Sequence, residues 1–383
     1  MPPALKVAIV RARYNPYGGA ERFVQRALAA LSARDLEVTV IARGWPRGEV
    51  EGLPVRLELL KVDPFYVGSL WRDWSFARGV RRVLAARRFS VVQSHERIPG
   101  VALYRAGDGV HAEFLAQRCR ALPRWRAALL RINPYHAYVL RAERRMFTDP
   151  ALRAVICNSE MVRREIRDRF GVDPSRLHLV RNGVDSQRFR PASDAGRAAA
   201  RAGFGLTADA AVFAFVGSGF ERKGLGAAIR ALARGRAGDA TLLVAGTDRR
   251  TARYRALARR LGVAGRVHFL GGLADVRPVL HAADAFVLPT LYDPFPNAAL
   301  EALACGLPLI TSTGSGAAEL VREGANGYVT DALDIDAIAD AMRRLAEPAG
   351  RAQRAAAARA CVEPLTLDAM AAQLVGIYQG LLA

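Results

Sequence analysis

Short β-branched runs alternate along the whole chain with segments of helical periodicity, and this alternation narrows the fold more than any other feature. Strand and helix in repeated order are the pattern of βα units on a parallel sheet. Strands are predicted at residues 6–10, 37–41, 55–60, 90–93, 101–104, 154–157 and 177–180, with helices such as 21–33 and 160–170 between them. A second series is predicted at 211–216, 241–245, 266–270, 285–288, 307–311 and 327–330. The chain has 383 residues, too many for one core, and two α/β domains follow. The stretch 182–209, rich in Pro, Gly, Ala and Asp, breaks the pattern. The expected division is therefore a first domain over 1–185, a linker over 186–209 and a second domain over 210–364. An amphipathic helix over 365–383 is expected to pack back on the first domain. Each domain reads as a doubly wound, Rossmann-like sheet. Ligands of such sheets sit at the carboxyl ends of the strands, so a cleft between the two domains is the expected site.

Charge separates the halves. Residues 1–190 carry 35 Lys+Arg against 18 Asp+Glu, and residues 191–383 carry 21 against 18. A first half at +17 beside a second at +3 implies that the first faces something anionic: nucleic acid, lipid headgroups or an acidic substrate. Compositional bias accounts for 53 of the 56 basic residues being arginine, but not for the asymmetry. The start of the chain lacks the order of a signal peptide, and no apolar run reaches the ~18 residues of a membrane span. Four scattered cysteines, Cys119, Cys157, Cys305 and Cys361, read as free thiols in a reducing cytoplasm.

Three loops carry candidate chemistry. After the first strand, Gly18 and Gly19 precede a helix from Glu21, where backbone N–H groups can approach a phosphate, although a tight turn has the same signature. After the first strand of the second series comes Gly217-Ser-Gly-Phe-Glu-Arg222-Lys223-Gly224. Glycines permit close approach, and adjacent cations offset the charge of a diphosphate. Lys223 is the only lysine after residue 61, which favours a specific role over a solvated surface charge. The spacing is not that of a Walker loop. The third loop is Asp293-Pro-Phe-Pro-Asn297-Ala-Ala-Leu-Glu301-Ala-Leu-Ala-Cys-Gly306-Leu-Pro308. Asn297 is expected to cap a short helix that Gly306 ends. Glu301 is the only charged residue in that helix; a carboxylate set in an apolar helix is expected to bind ligand hydroxyls.

Two acids with seven residues between them, followed by Ala-x-Ala-x-Gly-x-Pro, resemble the signature of family 4 of the retaining glycosyltransferases, which have the GT-B fold. Within that family the chain most resembles members that add glucose from UDP-glucose to a heptose of a lipopolysaccharide core. The matching segments run nearly end to end: Gly18-Gly19, Ile98-Pro99-Gly100, Asn182-Gly183-Val184-Asp185, Gly217-Ser218 with Arg222-Lys223-Gly224, and Asp293 to Pro308. The resemblance implies that Gly19 contacts donor phosphate, that Arg222 and Lys223 clamp the diphosphate, and that Glu301 binds the ribose hydroxyls. It also implies that backbone groups at Phe295, Pro296, Asn297 and Ala298 hold phosphate and sugar. Residues 266–271, among them Val267 and Leu270, would contact the base. Asp293 stands where the family usually has Glu, at a position that touches the donor hexose, and Pro296 stands where Gly is common. The identity of the donor sugar, with UDP-GlcNAc and GDP-mannose as rivals to UDP-glucose, rests on that difference.

On the acceptor side the resemblance points to Asp108, after a first-domain strand and between glycines; His95 and His111 are nearby rivals. A plain turn aspartate fits the same sequence. Asp334-Ile-Asp336 looks like a metal motif but opens a predicted helix (336–345), where acids are ordinary caps. No metal or other cofactor is expected. Residues 118–145 hold eight arginines with Trp125, Tyr135 and Tyr138, a composition suited to an anionic membrane surface. The resulting expectation is a cytoplasmic enzyme, peripheral on the inner face of the cytoplasmic membrane, acting on an acidic glycolipid. Rival classes are a UDP-sugar epimerase of the same fold and a nucleic-acid-binding protein, for which no specific motif is present.

Overall fold

The computed structural model describes residues 5–12, 36–44 and 56–382. The chain divides into two compact units, Met1–Asn182 with Leu367–Ala383, and Gly183–Thr366.

The first unit is built on a seven-stranded parallel sheet: β1 (Leu5–Val10), β2 (Leu36–Ala42), β3 (Arg56–Lys61), β4 (Val91–Ser94), β5 (Leu103–Arg105), β6 (Ala154–Cys157) and β7 (Leu177–Leu179), in the order β3-β2-β1-β4-β5-β6-β7. The strand order reverses at β1/β4, which places a doubly wound switch point beside the loops that follow those strands. Helices sit where their sequences dictate. Glu160–Phe170 starts at Ser159, whose side chain accepts from the Val162 N–H, and ends at Gly171 in the left-handed region. The last helix, Leu367–Leu382, belongs to this unit. Met370, Leu374 and Tyr378, four residues apart on one face, are buried against Val7, Ile9, Val38 and Leu103.

The second unit holds a six-stranded parallel sheet: β8 (Val212–Val216), β9 (Thr241–Ala245), β10 (Val267–Gly271), β11 (Ala285–Leu288), β12 (Leu309–Ser312) and β13 (Gly327–Thr330), in the order β10-β9-β8-β11-β12-β13. Its switch point is β8/β11. Helices cover both faces, so the central strands are apolar throughout rather than alternating: Val212, Phe213, Ala214 and Phe215 are all fully buried.

The predicted and observed strands agree to within two residues at each end; β-branched content marks the interior of a strand better than its termini. The stretch 186–209, expected as a linker, is instead part of the second unit. Its helix Asp194–Gly203 is anchored by Arg201, which donates to Asp284 at 2.8 Å and to the carbonyls of Ala282, Ala208 and Ala210. Asp284 is itself buried and also pairs with Arg197 and Arg351. Alanine-rich composition resembles a linker, while one buried arginine on a buried aspartate turns it into a packed element. Gly18, Gly19 and the predicted helix 21–33 lie outside the described residues.

Candidate active site

At the end of β8 the chain turns through Gly217, Ser218 and Gly219 into a single helical turn, Phe220–Lys223. The turn is fixed tightly. Gly224 has φ +79°, and a Cβ there would lie 1.9 Å from the carbonyl oxygen of Pro289, so only glycine fits. Gly217 lies over the aliphatic stem of Lys223. The Arg222 carbonyl accepts from the Leu291 N–H and the Thr290 hydroxyl, both at 2.8 Å, which ties this turn to the loop after β11.

Two cations thereby meet one acid. Lys223 Nζ donates to Asp293 Oδ2, and Arg222 Nη1 donates to the same oxygen at 3.0 Å and to the Tyr292 carbonyl at 3.2 Å. Asp293 and Lys223 are buried, while Arg222 stays partly exposed. Burial pushes the Asp293 carboxyl upward, but Lys223 and Arg222 outweigh it and hold the group below its ordinary range. Burial likewise lowers Lys223, against the pull of Asp293. The Asp293 backbone is pinned as well: its N–H donates to Gly314 and its carbonyl accepts from Gly316. A Cβ on Gly314 would come within 2.3 Å of the Leu291 carbonyl oxygen. The Gly314–Gly316 support of Asp293 escapes a reading of the sequence, although Thr-Gly-Ser-Gly after a strand is the signal that marks it.

The helix after this loop is Asn297–Ala304. Asn297 is its first residue and not the cap; Pro296 takes the cap position, and no side chain caps the helix. The fixed φ of proline suits this entry, and the cap site is left without a side-chain acceptor. Asn297 and Ala298 are half-exposed there, so the positive end of the helix dipole faces outward. Phe295 and Pro296 are buried beneath them. Glu301 lies one turn further in and is buried; burial, then the charge of Glu301, pushes the Cys305 thiol up to about 12.

Val267 and Leu270 lie on the edge strand β10. The ladder with β9 shifts between Phe269 and Gly271, so Leu270 is skipped in the pairing and its backbone is turned out of the ladder. Gly246 joins this edge to the glycine turn: its N–H donates to the Gly271 carbonyl, and a Cβ on it would lie 2.2 Å from the Gly217 carbonyl oxygen. Gly217, Arg222, Lys223, Asp293, the start of Asn297–Ala304 and the end of β10 are thus linked at the carboxyl end of one sheet.

In the first unit Asp108 follows β5, exposed, in a turn closed by the Gly109 N–H donating to the Ala106 carbonyl. Arg11 reaches Asp108 at 3.6 Å and Glu96 at 3.5 Å. The two rival histidines are held neutral. His95 is buried against Gln93, and desolvation, then Arg11 and Arg105, lower it well below its ordinary value. His111 is lowered to about 3 by burial, then by Arg97 and His136. Asp108 is the most accessible of the three. Asp334 accepts from the Ala337 N–H as the cap of Ile335–Ala346, and Asp336 pairs with Arg234 and Arg236, so both acids of the metal-like motif have other work. Among the described residues no group of three or more His, Cys, Asp or Glu is placed to hold a metal ion.

Residues 118–145 form the end of His111–Arg120 and the helices Arg124–Arg131 and Pro134–Phe147. Trp125, Leu129 and Ile132 are exposed, at 61%, 56% and 74%. Tyr135 is not presented in the same way, because its hydroxyl donates to Asp73 at 3.1 Å. A neighbouring segment that sequence patterning does not reveal adds Phe65, Trp71 and Trp74 to the exposed aromatics; their spacing around a helix start looks like ordinary core. No helix among the described residues is long and apolar enough to cross a membrane.

Two doubly wound parallel sheets and a glycine-turn cation pair set beside an open helix start define a glycosyltransferase of the GT-B fold. The model of "Glycosyltransferase Family 4" matches residues 17–188, and that of "Glycosyl transferases group 1" matches 210–348. The chain belongs to this family of glycosyltransferases. It is 26% identical to the lipopolysaccharide glucosyltransferase WaaG of Escherichia coli over 84% of each chain. It is 31% identical to the D-inositol 3-phosphate glycosyltransferase of Mycobacterium bovis over 74% of this chain, spanning 61% of that protein's length. A crystal structure of WaaG, a glycosyltransferase involved in lipopolysaccharide biosynthesis, superimposes with a TM-score of 0.83 at 24% identity, covering 98% of this chain and all of the other. Anabaena HepE in complex with UDP and glucose matches with a TM-score of 0.74 at 20% identity, over 98% of this chain and all of that one.

Proposed function

We propose that this glycosyltransferase moves glucose from UDP-glucose, with retention of anomeric configuration, onto a heptose of a lipopolysaccharide-core-type glycolipid at an anionic membrane surface. The observation that carries the donor reading is the pairing of Arg222 and Lys223 on Asp293 beside the open helix start at Asn297. The two cations need an anion and use Asp293 as one; a diphosphate presents a stronger one in the same place. As the sugar–phosphate bond breaks, Arg222, Lys223 and the N-terminal dipole of Asn297–Ala304 stabilise the charge left on phosphate. Asp293 then faces the hexose hydroxyls, Glu301 takes the ribose hydroxyls, and the backbone of Val267–Gly271 takes the base. Gly18 and Gly19 add N–H groups to the phosphate. On the first unit Asp108 orients the acceptor hydroxyl. That hydroxyl attacks from the face the phosphate leaves, and its proton passes to the leaving phosphate oxygen.

The donor is favoured by WaaG, a lipopolysaccharide glucosyltransferase by name, and by HepE, whose structure holds UDP and glucose. Anionic membrane docking is favoured by the +17 balance of residues 1–190 and by Trp125, Leu129 and Ile132 standing exposed among arginines. The reaction needs no metal, and the protein works at the cytoplasmic face. Incubation with a panel of UDP- and GDP-sugars, reading nucleotide release, tests the donor. UDP-glucose is expected to turn over fastest; a preference for UDP-GlcNAc or GDP-mannose would move Asp293 to the recognition of another hexose.

A further inference from the structure

The loop that carries Asp108 is gripped from beneath. Arg97, in the loop after β4, donates from Nε to Glu143 Oε1 at 2.9 Å and from Nη2 to the Gly109 carbonyl at 3.0 Å. Glu143 Oε1 also accepts the His111 N–H at 2.9 Å. The residues on both sides of Val110 are therefore held by one ion pair, immediately after Asp108. Gly109 has φ +68°, so the turn is set in the left-handed region at the point where Arg97 grips it. A second tie runs from the same helix, His136 Nδ1 lying 3.0 Å from His111 Nε2. With both rings neutral, one nitrogen donates and the other accepts. Glu143 is only 1% exposed, and its Oε2 has no hydrogen-bond partner among the described residues. An ionised carboxylate buried with one such oxygen is a poor device for stability alone, since the desolvation of both charges offsets their attraction.

We propose that Arg97 and Glu143 are positioning residues for the acceptor side of the reaction: their ion pair locks the Gly109–His111 backbone and so sets where the Asp108 carboxylate stands. Helix Pro134–Phe147, which carries Glu143 and His136, is continuous in sequence with the exposed Trp125–Ile132 segment. The same helix thus joins the surface-facing segment to the acceptor loop. This rests on Asp108 acting on the acceptor, and the test separates the two ideas.

The variants are Asp108→Asn, Glu143→Gln, the neutral pair Arg97→Gln with Glu143→Gln, and Asp108→Asn combined with Glu143→Gln. Glu143→Gln keeps the shape and the acceptor oxygen and removes the charge. Amide exchange across residues 106–111 is read first, because it needs neither donor nor acceptor. It is expected to accelerate at least tenfold in Glu143→Gln and in the neutral pair, with UDP affinity by calorimetry unchanged within twofold. Transfer from radiolabelled UDP-glucose to a heptosylated lipid acceptor is expected to fall about tenfold to a hundredfold through kcat in Glu143→Gln. The combined variant should be no slower than Asp108→Asn alone, since the clamp acts only through that side chain. Unchanged exchange, or losses that multiply in the combined variant, would overturn the clamp. Wild-type transfer by Asp108→Asn, with faster exchange in Glu143→Gln, would instead overturn the acceptor role of Asp108 and with it the catalytic meaning of the clamp.

Discussion

Lys223 shows how a single residue in this site serves two states. In the structure it neutralises Asp293 in a buried pair; in the proposed complex it faces the donor diphosphate. Lys223→Ala is expected to lower kcat/KM for the donor by about 2–4 kcal/mol of transition-state stabilisation. It should also lower the unfolding temperature, because Asp293 keeps Arg222 but loses its nearest counter-charge. Steady-state kinetics with a parallel thermal scan check both, and wild-type kcat/KM in a folded variant contradicts the clamp. Asp293 adds a pH signature. Its folded pKa is depressed, so its pairing stabilises the protein above its unfolded value of about 3.9 and is lost as pH falls through the folded value. Urea midpoints measured from pH 6 downward should therefore drop more steeply for wild type than for Asp293→Asn. Glu301→Ala is expected to abolish UDP binding in calorimetry while the fold persists; unchanged affinity removes its ribose role. Glu301 stands out in the sequence because charge inside an apolar helix is rare. Asn297 reads as the cap because its capping preference is strong, whereas the backbone puts Pro296 at the cap and Asn297 one position past it.

The helix Asp194–Gly203 tests the account at the scale of one element. Its place in the second unit depends on Arg201 and Arg197 meeting Asp284, which is 1% exposed on its side chain. Asp284→Ala removes the one carboxylate that buried Arg201 and half-buried Arg197 share, leaving them only carbonyl acceptors, and is expected to cost about 3–5 kcal/mol of unfolding free energy, read from urea denaturation of the full chain. A loss under about 1 kcal/mol would mean that the pairing with Asp284 does not hold the helix in place. Parallel strands and the helix Glu160–Phe170 are legible from their own residues, since apolar runs, Ser159 and Gly171 act locally. The pairing of residue 201 with 284, or of 97 with 143, is set by the fold across long separations and leaves no mark in either segment. Glu143 in particular lies in a stretch whose composition reads as a basic, aromatic surface segment, with no sign of a buried acid.

For the whole molecule, the division into two sheets and the polarised charge are both legible in the amino-acid order alone. The exposed aromatics at Phe65, Trp71 and Trp74 are not, because an aromatic at helical spacing looks the same whether it faces core or solvent. Together they lead to a surface prediction. Vesicles of anionic lipid should bind the protein much more strongly than neutral vesicles, each arginine near the surface contributing about 1 kcal/mol. Binding should weaken as salt rises to 1 M, where the Debye length is about 3 Å, leaving a remainder from the inserted aromatics. Replacing Arg124, Arg126 and Arg131 together by Gln should reduce co-sedimentation severalfold; equal binding to both lipids would remove the membrane from the account.

The central claim is that the second unit holds a nucleotide-diphosphate sugar and that the first presents an acceptor to it. Its most direct measurement is the product of UDP-glucose and a heptosylated lipid acceptor, with the configuration of the new linkage read by NMR. The account predicts an α-linked glucose, released UDP, and loss of both in Glu301→Ala. A β-linkage, or a UDP-linked epimer formed without acceptor, would contradict it.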